Sequence, residues 1–256
     1  MLIDSHAHLN DEAFLNNVKE AIDNAKNNGI FAVVCASYDY PSSERSVLLS
    51  KEHEEIFATV GIHPENAMEF NDEIKEKLMI LSKEKKVVAW GEIGLDYHYD
   101  INQKDIQKKV FIKQIELANK ANLPIIVHMR DATKDTLDIL QTNKKLLING
   151  GVIHCFSGSI ETAQEFIKLG FLISFAGPLT YKNSSQAREV ALKIPLDKIL
   201  VETDSPYLSP VPLRGQINTP ANVKYVALEL AKIKNISLSE VEEQTTLNVK
   251  KLFKIE

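Results

Sequence analysis

The chain has 256 residues, of which 44% are hydrophobic and 25% are charged, and its formal net charge is −5. A chain of this length and composition can bury a large core, and we expect one domain over residues 1–256, near the size of a single α/β barrel. The acidic balance argues against a broad basic surface that coats duplex nucleic acid, so an anionic substrate would have to be held by a local positive site.

The start of the chain and its two cysteines indicate a cellular location. The sequence reaches Asp4 within three residues, which leaves no room for a signal peptide, and no apolar run approaches the roughly 20 residues of a membrane helix. Cys35 and Cys155 form no Cys-x-x-Cys pair and no disulfide framework, which suits a reducing compartment. We therefore expect a cytoplasmic monomer with no membrane association and no obligate protein partner.

The chain opens on a short apolar segment that runs into His6-Ala7-His8. We interpret this segment as a buried strand, in which alternate side chains project to the same side, so the two imidazoles lie together. Two such imidazoles are half of a metal site, although an isolated pair fits one core histidine and one exposed histidine equally well. Further predicted strands follow at residues 30–37, 56–62, 87–93, 124–128, 151–155, 171–174 and 199–202.

Helical patterns lie between the predicted strands, and they have recognisable starts and stops. The first runs from Phe14 to a stop at Gly29, and the next two cover residues 72–83 and 103–122. Asp131 can cap a fourth helix, and a fifth begins at Ser159 and ends at Gly170. This alternation of strand and helix argues for a parallel sheet.

Two capping signals predict the last helices. Thr219-Pro220 fits an N-cap followed by proline at the first helical position, and Ser239-x-x-Glu242 fits a capping box for a final helix that ends near Phe253. Eight βα units in a chain of this length indicate a (β/α)₈ TIM barrel, with its site at the C-terminal ends of the strands. An open doubly wound sheet would show a similar periodicity.

Potential metal ligands stand where five of the eight predicted strands end. They are His6, His8, Glu92, His128, His154 and Asp204. Each one alone fits a structural role, such as a buried histidine bonded to a backbone carbonyl. Because the C-terminal ends of barrel strands share one face, we expect the six side chains to converge. Burying so many ionisable groups without a cation would be costly, so the set predicts a metal centre.

The ligand types and their number predict two divalent ions. Mixed imidazole and carboxylate ligands suit Zn²⁺, Mn²⁺, Co²⁺ or Fe²⁺, and Mg²⁺ remains a further candidate. Six ligands exceed what one open tetrahedral ion needs, so we interpret Glu92 as a bridge between two ions. One ion would take His6, His8 and Asp204, and the other would take His128 and His154.

Four further residues are candidate substrate contacts. His63 ends a strand and is either a substrate contact or a loop hydrogen bond, and Arg130 either reaches a phosphate or braces a carboxylate such as Asp96. Lys182 and Arg214 follow the last two strands, where barrels often bind phosphate, and each is equally compatible with a solvated surface charge.

The motifs around these residues resemble the TatD family of metal-dependent deoxyribonucleases, within the amidohydrolase-like barrels. They are Asp4-Ser5-His6-Ala7-His8-Leu9, Gly61-Ile62-His63-Pro64, Gly91-Glu92-Ile93-Gly94-Leu95-Asp96-Tyr97, His128-Met129-Arg130, His154-Cys155-Phe156-Ser157-Gly158, Glu202-Thr203-Asp204-Ser205-Pro206-Tyr207-Leu208 and Arg214-Gly215. The resemblance implies a (β/α)₈ barrel, two ions on the six ligands, and hydrolysis of DNA phosphodiesters. It also implies that Glu202 helps to hold a further ion, while a packing role for Glu202 stays open.

One motif departs from the family pattern. The family usually resembles Arg-Gly-Lys-Arg-Asn-Glu-Pro, whereas this chain has Arg214-Gly215-Gln216-Ile217-Asn218-Thr219-Pro220. Two positive charges are therefore missing, so we expect weaker binding of the nucleic-acid backbone beyond the reacting phosphate. Together with the acidic net charge, this favours exonuclease-like action on DNA or other short single-stranded nucleic-acid ends over the wrapping of a duplex.

The predicted mechanism uses water activated by the two ions, with Asp204 as the general base and Glu92 as the bridging ligand. Arg130 and Lys182 would stabilise charge that develops on the phosphate. The main alternative is a two-metal hydrolase of esters, lactones, amides or aminoacyl esters. A lysine available for carbamylation at the end of the fourth strand would have favoured an amidase or lactonase, and Glu92 occupies that place. A metal-binding scaffold without turnover is the remaining alternative.

Overall fold

The computed structural model describes residues 1–98 and 103–256, and its centre is a parallel sheet of eight strands. The strands are β1 (Leu2–Ala7), β2 (Ile30–Cys35), β3 (Ile56–Val60), β4 (Val87–Asp96), β5 (Ile125–Arg130), β6 (Gly151–Ile153), β7 (Phe171–Phe175) and β8 (Ile199–Val201). Each strand is hydrogen-bonded to the next along the chain. A doubly wound sheet would reverse its strand order at a switch point, so the (β/α)₈ barrel is confirmed.

The barrel closes between β8 and β1, beside two of the predicted ligands. Ala7 and Ser205 form a parallel bridge. The N–H of His8 donates to the carbonyl of Ser205 at 2.7 Å, and the N–H of Asp204 donates to the carbonyl of His6 at 2.9 Å. The closing hydrogen bonds therefore run through the backbone of the candidate ligands themselves.

The α-helices of the described residues lie between the strands and after them. They are α1 (Val18–Asn27), α2 (Tyr40–Glu52), α3 (Asp72–Leu81), α4 (Lys104–Ala121), α5 (Thr133–Thr142), α6 (Ile160–Lys168), α7 (Ser185–Lys193), α8 (Val223–Lys234) and α9 (Leu238–Phe253). Gly29 and Gly170 follow α1 and α6 with φ of 81° and 92°, as their predicted role as helix stops requires. Helices α2 and α7 have no counterpart among the predicted helices. No helix of the described residues is long and apolar enough to span a bilayer.

The predicted cap of α5 is wrong. Asp131 adopts a left-handed backbone with φ of 54°, and its carboxylate lies 3.0 Å from Nδ1 of His98. The N-cap position belongs to Ala132, which has no side-chain acceptor. Thr219 does occupy the N-cap of a short 3₁₀ turn that leads into α8, but its hydroxyl makes no capping hydrogen bond.

The predicted capping box of the last helix is also wrong. The structure uses Ser237 and Glu240, so α9 begins two residues earlier than Ser239 predicts. Glu242 instead binds the amino group of Met1 at 2.9 Å. Two Ser-x-x-Glu patterns overlap here. Helix α8 ends at Asn235, which has a left-handed backbone, and Ser237 then adopts the extended backbone that an N-cap needs.

An apolar cluster lies on the strands below the candidate ligands. It contains one or two residues from most of the strands, among them Ile3, Val88, Ile126 and Leu200, packed against Phe253 of α9. The larger core lies between the strands and the surrounding helices. The C-terminal ends of the strands, at the other end of the barrel from the apolar cluster, carry the polar side chains.

Candidate metal centre

The structure brings the six predicted ligands together at the C-terminal ends of five strands. His6 lies in β1, Glu92 in β4 and His128 in β5, while His8, His154 and Asp204 lie just after β1, β6 and β8. An open cavity of about 1160 Å³ is lined by all of them except His6. His6 is fully buried in contact with the others.

One half of the centre consists of His6, His8, Asp204 and one oxygen of Glu92. Nε2 of His6 lies 3.3 Å from Nε2 of His8, 3.2 Å from Oε2 of Glu92 and 3.5 Å from Oδ1 of Asp204. Nε2 of His8 lies 3.2 Å from Oδ1 of Asp204 and 3.8 Å from Oε2 of Glu92. Ligands about 2.1 Å from a tetrahedral ion are about 3.4 Å apart. The five distances therefore match four ligands around one ion.

The other half uses the second oxygen of Glu92. Nδ1 of His128 and Nε2 of His154 each lie 2.7 Å from Oε1 of Glu92, and these two nitrogens are 3.2 Å apart. Nε2 of His63 lies 3.6 Å from the same oxygen. Glu92 therefore presents Oε2 to one half and Oε1 to the other, as a bridging carboxylate would. The two contacts of 2.7 Å are hydrogen-bond distances, shorter than the spacing of two ligands on one ion.

Opposite charges within the centre favour the ionised forms of its members. Burial opposes ionisation of Glu92, but the imidazoles of His154, His6 and His128 hold its pKa well below its usual range. Burial likewise opposes the charged form of His154, but Glu92 and Glu202 raise its pKa well above its usual value. Glu92 thus stays ionised at neutral pH, and His154 is drawn toward the protonated form.

Outer partners fix which ring nitrogen of three histidines faces the centre. When one imidazole nitrogen donates to an oxygen outside the centre, the other is left as the ligand. The pairs are Nδ1 of His8 with the carbonyl of Ala36 at 3.1 Å, Nε2 of His128 with Oδ2 of Asp96 at 2.8 Å, and Nδ1 of His154 with Oε1 of Glu202 at 3.3 Å.

This donor set fits divalent cations. The ligand atoms of His6, His8 and Glu92 lie mutually close, and so do those of His63, Glu92 and His128. Two imidazole nitrogens that face each other at 3.3 Å, as in His6 and His8, repel through their lone pairs unless a proton or a cation lies between them. Buried imidazoles with ionised carboxylates are the ligands that Zn²⁺ and Mn²⁺ accept.

His63 and Arg130 also reach the cavity. Nδ1 of His63 accepts the backbone N–H of Glu65 at 3.2 Å, so the ring proton of the neutral imidazole resides on Nε2. Burial and the neighbouring His128 lower the pKa of His63 to about 3, which keeps the ring neutral. Arg130 is exposed at the end of β5 and lines the cavity.

Of the remaining predicted site residues, Lys182 and Arg214 lie outside the cavity and Glu202 lies buried beneath the ligands. Lys182 is exposed, and Arg214 stacks on the ring of Tyr181 with 4.2 Å to its centroid. Neither Lys182 nor Arg214 is among the described residues that line the cavity. Glu202 is fully buried: Oε1 accepts the N–H of Cys155 at 2.7 Å, and Oε2 accepts the hydroxyl of Ser174 at 2.5 Å.

Two residues next to the ligands belong to the quoted motifs, but no role was predicted for either. Asp4 and Thr203 are both buried and bonded to each other, although they are 199 positions apart. They belong to the same strand-end segments as His6 and Asp204, but a single sequence gives no signal for a contact between the first and last strands.

Comparison with known proteins agrees with a hydrolase centre. A family model described as TatD related DNase matches residues 3–254. The uncharacterized metal-dependent hydrolase YabD of Bacillus subtilis is 45% identical over 255 residues, which cover 100% of both chains. The uncharacterized metal-dependent hydrolase YcfH of Escherichia coli K12 is 40% identical over 258 residues, covering 100% of this chain and 96% of YcfH. The crystal structure of YjjV, a TatD homolog from Escherichia coli K12, matches with a TM-score of 0.95 at 29% identity, covering 100% of this chain and 98% of that chain.

Proposed function

Because the chain belongs to the TatD-related DNase family of metal-dependent hydrolases, we propose that it is a deoxyribonuclease that hydrolyses phosphodiester bonds at the ends of single-stranded DNA. The observation that carries the proposal is the position of Glu92. Its two oxygens face two separate groups of histidines, at 3.2 Å from Nε2 of His6 and at 2.7 Å from Nε2 of His154. Such a carboxylate can bridge two cations.

Two divalent ions, of Zn, Mn, Co or Mg, would share the six ligands. His6, His8 and Asp204 would hold one ion with Oε2 of Glu92, and His128 and His154 would hold the other with Oε1. Bound ions would supply Lewis acidity that lowers the pKa of water toward neutrality and polarises a phosphoryl oxygen. In Glu202, both carboxylate oxygens already accept hydrogen bonds, so a further ion on this residue would have to compete with Ser174 and the N–H of Cys155.

Asp204 is the proposed general base. Burial opposes its ionisation, but His8 and His6 hold its pKa below its usual value, so the carboxylate is ionised at neutral pH. Its side chain is 13% exposed, against 3% for Glu92, which makes it the more accessible of the two to water. It would accept a proton from the attacking water while the water oxygen bonds to phosphorus and the leaving oxygen departs.

His63 and Arg130 are the proposed contacts to the phosphate. The neutral ring of His63 offers an Nε2–H donor, and Arg130 offers a planar cation that matches phosphate oxygens. Lys182 and Arg214 would meet the nucleic-acid backbone outside the cavity. Asp11 and Glu65 also line the cavity, and their charges disfavour a long polyanion across its mouth. This arrangement supports action on strand ends.

The test is release of labelled product from single-stranded DNA carrying a label at the 5′ or the 3′ end, in Mn²⁺, Zn²⁺, Co²⁺ or Mg²⁺ and in excess chelator. We expect stepwise shortening from one end in Mn²⁺ and none in chelator, with Glu92→Gln as the inactive control. No shortening with any of the four metals, together with turnover of an ester, lactone or aminoacyl-ester panel, would contradict the nuclease and support the carbonyl hydrolase. Bound metal without turnover on either substrate set would indicate a binding protein.

A further inference from the structure

The side chain of Asp4 joins β1 to the loop after β8. Oδ1 of Asp4 accepts the backbone N–H of Thr203 at 2.9 Å and the backbone N–H of His6 at 3.3 Å. Oδ2 accepts the hydroxyl of Thr203 at 2.5 Å. One buried carboxylate therefore holds both the backbone of His6 and the residue that precedes Asp204.

Thr203 also binds the residue that follows Asp204. Its Oγ1 accepts the backbone N–H of Ser205 at 3.1 Å, and its carbonyl accepts Nδ2 of Asn218 at 2.9 Å. Asp204 lies between the two fixed residues with φ of 56°, a left-handed backbone that is uncommon outside glycine. The backbone that aims the Asp204 carboxylate at His6 and His8 is thus held on both sides. We refer to Asp4, Thr203 and Ser205 as the seam clasp.

We propose that Asp4 is a positioning residue for the ion site of His6, His8 and Asp204, acting through Thr203. This inference rests on the proposed two-ion centre. The clasp sets the relative placement of His6 and Asp204, which come from opposite ends of the chain and have Nε2 and Oδ1 3.5 Å apart. Without it, only the backbone hydrogen bonds that close the barrel would hold Asp204 beside His6, and the spacing that one ion requires would be less tightly fixed.

The clasp acts on one ion site only. The ligands of the other site have their own outer partners, since Asp96 binds His128 at 2.8 Å and Glu202 lies 3.3 Å from His154. Neither of these partners is a member of the clasp. Loss of the clasp should therefore weaken the ion of His6, His8 and Asp204 more than the other ion, which shares Glu92 with it.

The test compares Thr203→Val, Thr203→Ser and the matched control Thr245→Val. Valine keeps the shape of Thr203 and removes the hydroxyl that binds Asp4 and Ser205, whereas serine retains that hydroxyl. Thr245 is also buried, and its hydroxyl donates to the carbonyl of Val241 within α9, so Thr245→Val removes a comparable bond away from the centre. Metal-free full-length chains are titrated with Mn²⁺ by calorimetry, and spin coupling between the two ions is read by electron paramagnetic resonance.

We expect two Mn²⁺ ions and a coupled signal in the wild-type chain, Thr203→Ser and Thr245→Val. In Thr203→Val, one ion should bind about 10 to 100 times more weakly, and the coupled signal should give way to that of a single ion at limiting Mn²⁺. Wild-type affinity for both ions, or equal weakening of both, in a folded Thr203→Val would overturn the inference alone. A wild-type chain that binds fewer than two ions would overturn the two-ion centre as well. If Thr203→Val does not fold, Asp4→Leu, which is close to Asp4 in size and removes both oxygens, decides by the same titration: weakening of one ion more than the other supports the clasp, and any other result overturns it.

Discussion

Replacing Asp204 with asparagine separates its proposed role as a base from its role as a ligand. The contacts of Asp204 with Nε2 of His8 at 3.2 Å and with Nε2 of His6 at 3.5 Å both use Oδ1. An asparagine oxygen can occupy that position, so the ion can stay while the group that accepts the proton is lost. General base catalysis contributes about 10² to 10⁴ in rate. We therefore expect kcat to fall by that factor, equivalent to about 2.7 to 5.4 kcal/mol of barrier.

The assay for Asp204→Asn is kcat on labelled single-stranded DNA at saturating Mn²⁺, with the bound ions counted in the same sample. Asp11→Asn is the matched control, because Asp11 lines the same cavity but binds the hydroxyl of Tyr207 at 2.9 Å instead of the candidate ligands. We expect the control to keep kcat within about threefold of the wild type. If Asp204→Asn also stays within about threefold with two ions bound, Asp204 is not the base.

Three further predictions concern the bridge, the phosphate contact and proton release. Glu92→Ala should lose both bound metal and turnover, and retention of two ions with normal activity would disprove the bridge. Arg130→Ala should lower kcat/KM on DNA by at least about tenfold because it removes a cation from the cavity, whereas Lys182→Ala should change it less; equal losses would assign Lys182 to the reacting phosphate. Because the pKa of His154 is raised, the metal-free chain holds a proton there at neutral pH that an incoming cation must displace. Mn²⁺ affinity should therefore rise with pH through neutrality, and the calorimetric heat should depend on the ionisation enthalpy of the buffer; a heat that is independent of the buffer would contradict the charged His154.

The barrel and the ligand set follow from local patterns that one sequence contains. Each buried strand is an apolar run with a definite end, and the parallel strands of a barrel end at one face. Polar residues at these ends, such as Glu92 and His128, can therefore be predicted to lie close together. Strand ends were less predictable, since β4 continues to Asp96 beyond the predicted end at residue 93. That extension places Asp96 beside His128.

Helix α2 shows where local propensity fails. Its sequence begins Tyr-Pro-Ser-Ser and has four buried serines, a composition with low intrinsic helix propensity. A tertiary contact compensates in part, because Nδ2 of Asn10 donates to Oγ of Ser46. The start of the helix is fixed locally, because Asp39 accepts the N–H of Ser42. The contact with Asn10 depends on the assembled barrel and cannot be predicted from local sequence, whereas the Asp39 cap and the proline of the first turn are local signals from which the helix could have been predicted.

The seam between β1 and β8 is unpredictable for a related reason. Asp4 is a polar residue in a buried strand, and its partner Thr203 is 199 residues away. The pattern predicts that both positions are buried but not that they bind each other. The same limit applies to Lys182 and Arg214, because strand order places their loops near the mouth without fixing whether the side chains enter the cavity.

The central claim is that two cations on the shared carboxylate of Glu92 activate water for phosphodiester hydrolysis. It is tested most directly by stripping the chain of metal, adding back Mn²⁺ in known equivalents per chain, and measuring nucleotide release from end-labelled single-stranded DNA at each step. We expect no release in the stripped chain and a rise in rate that reaches its plateau at two equivalents. Full release from the stripped chain, or a plateau at one equivalent, would contradict it.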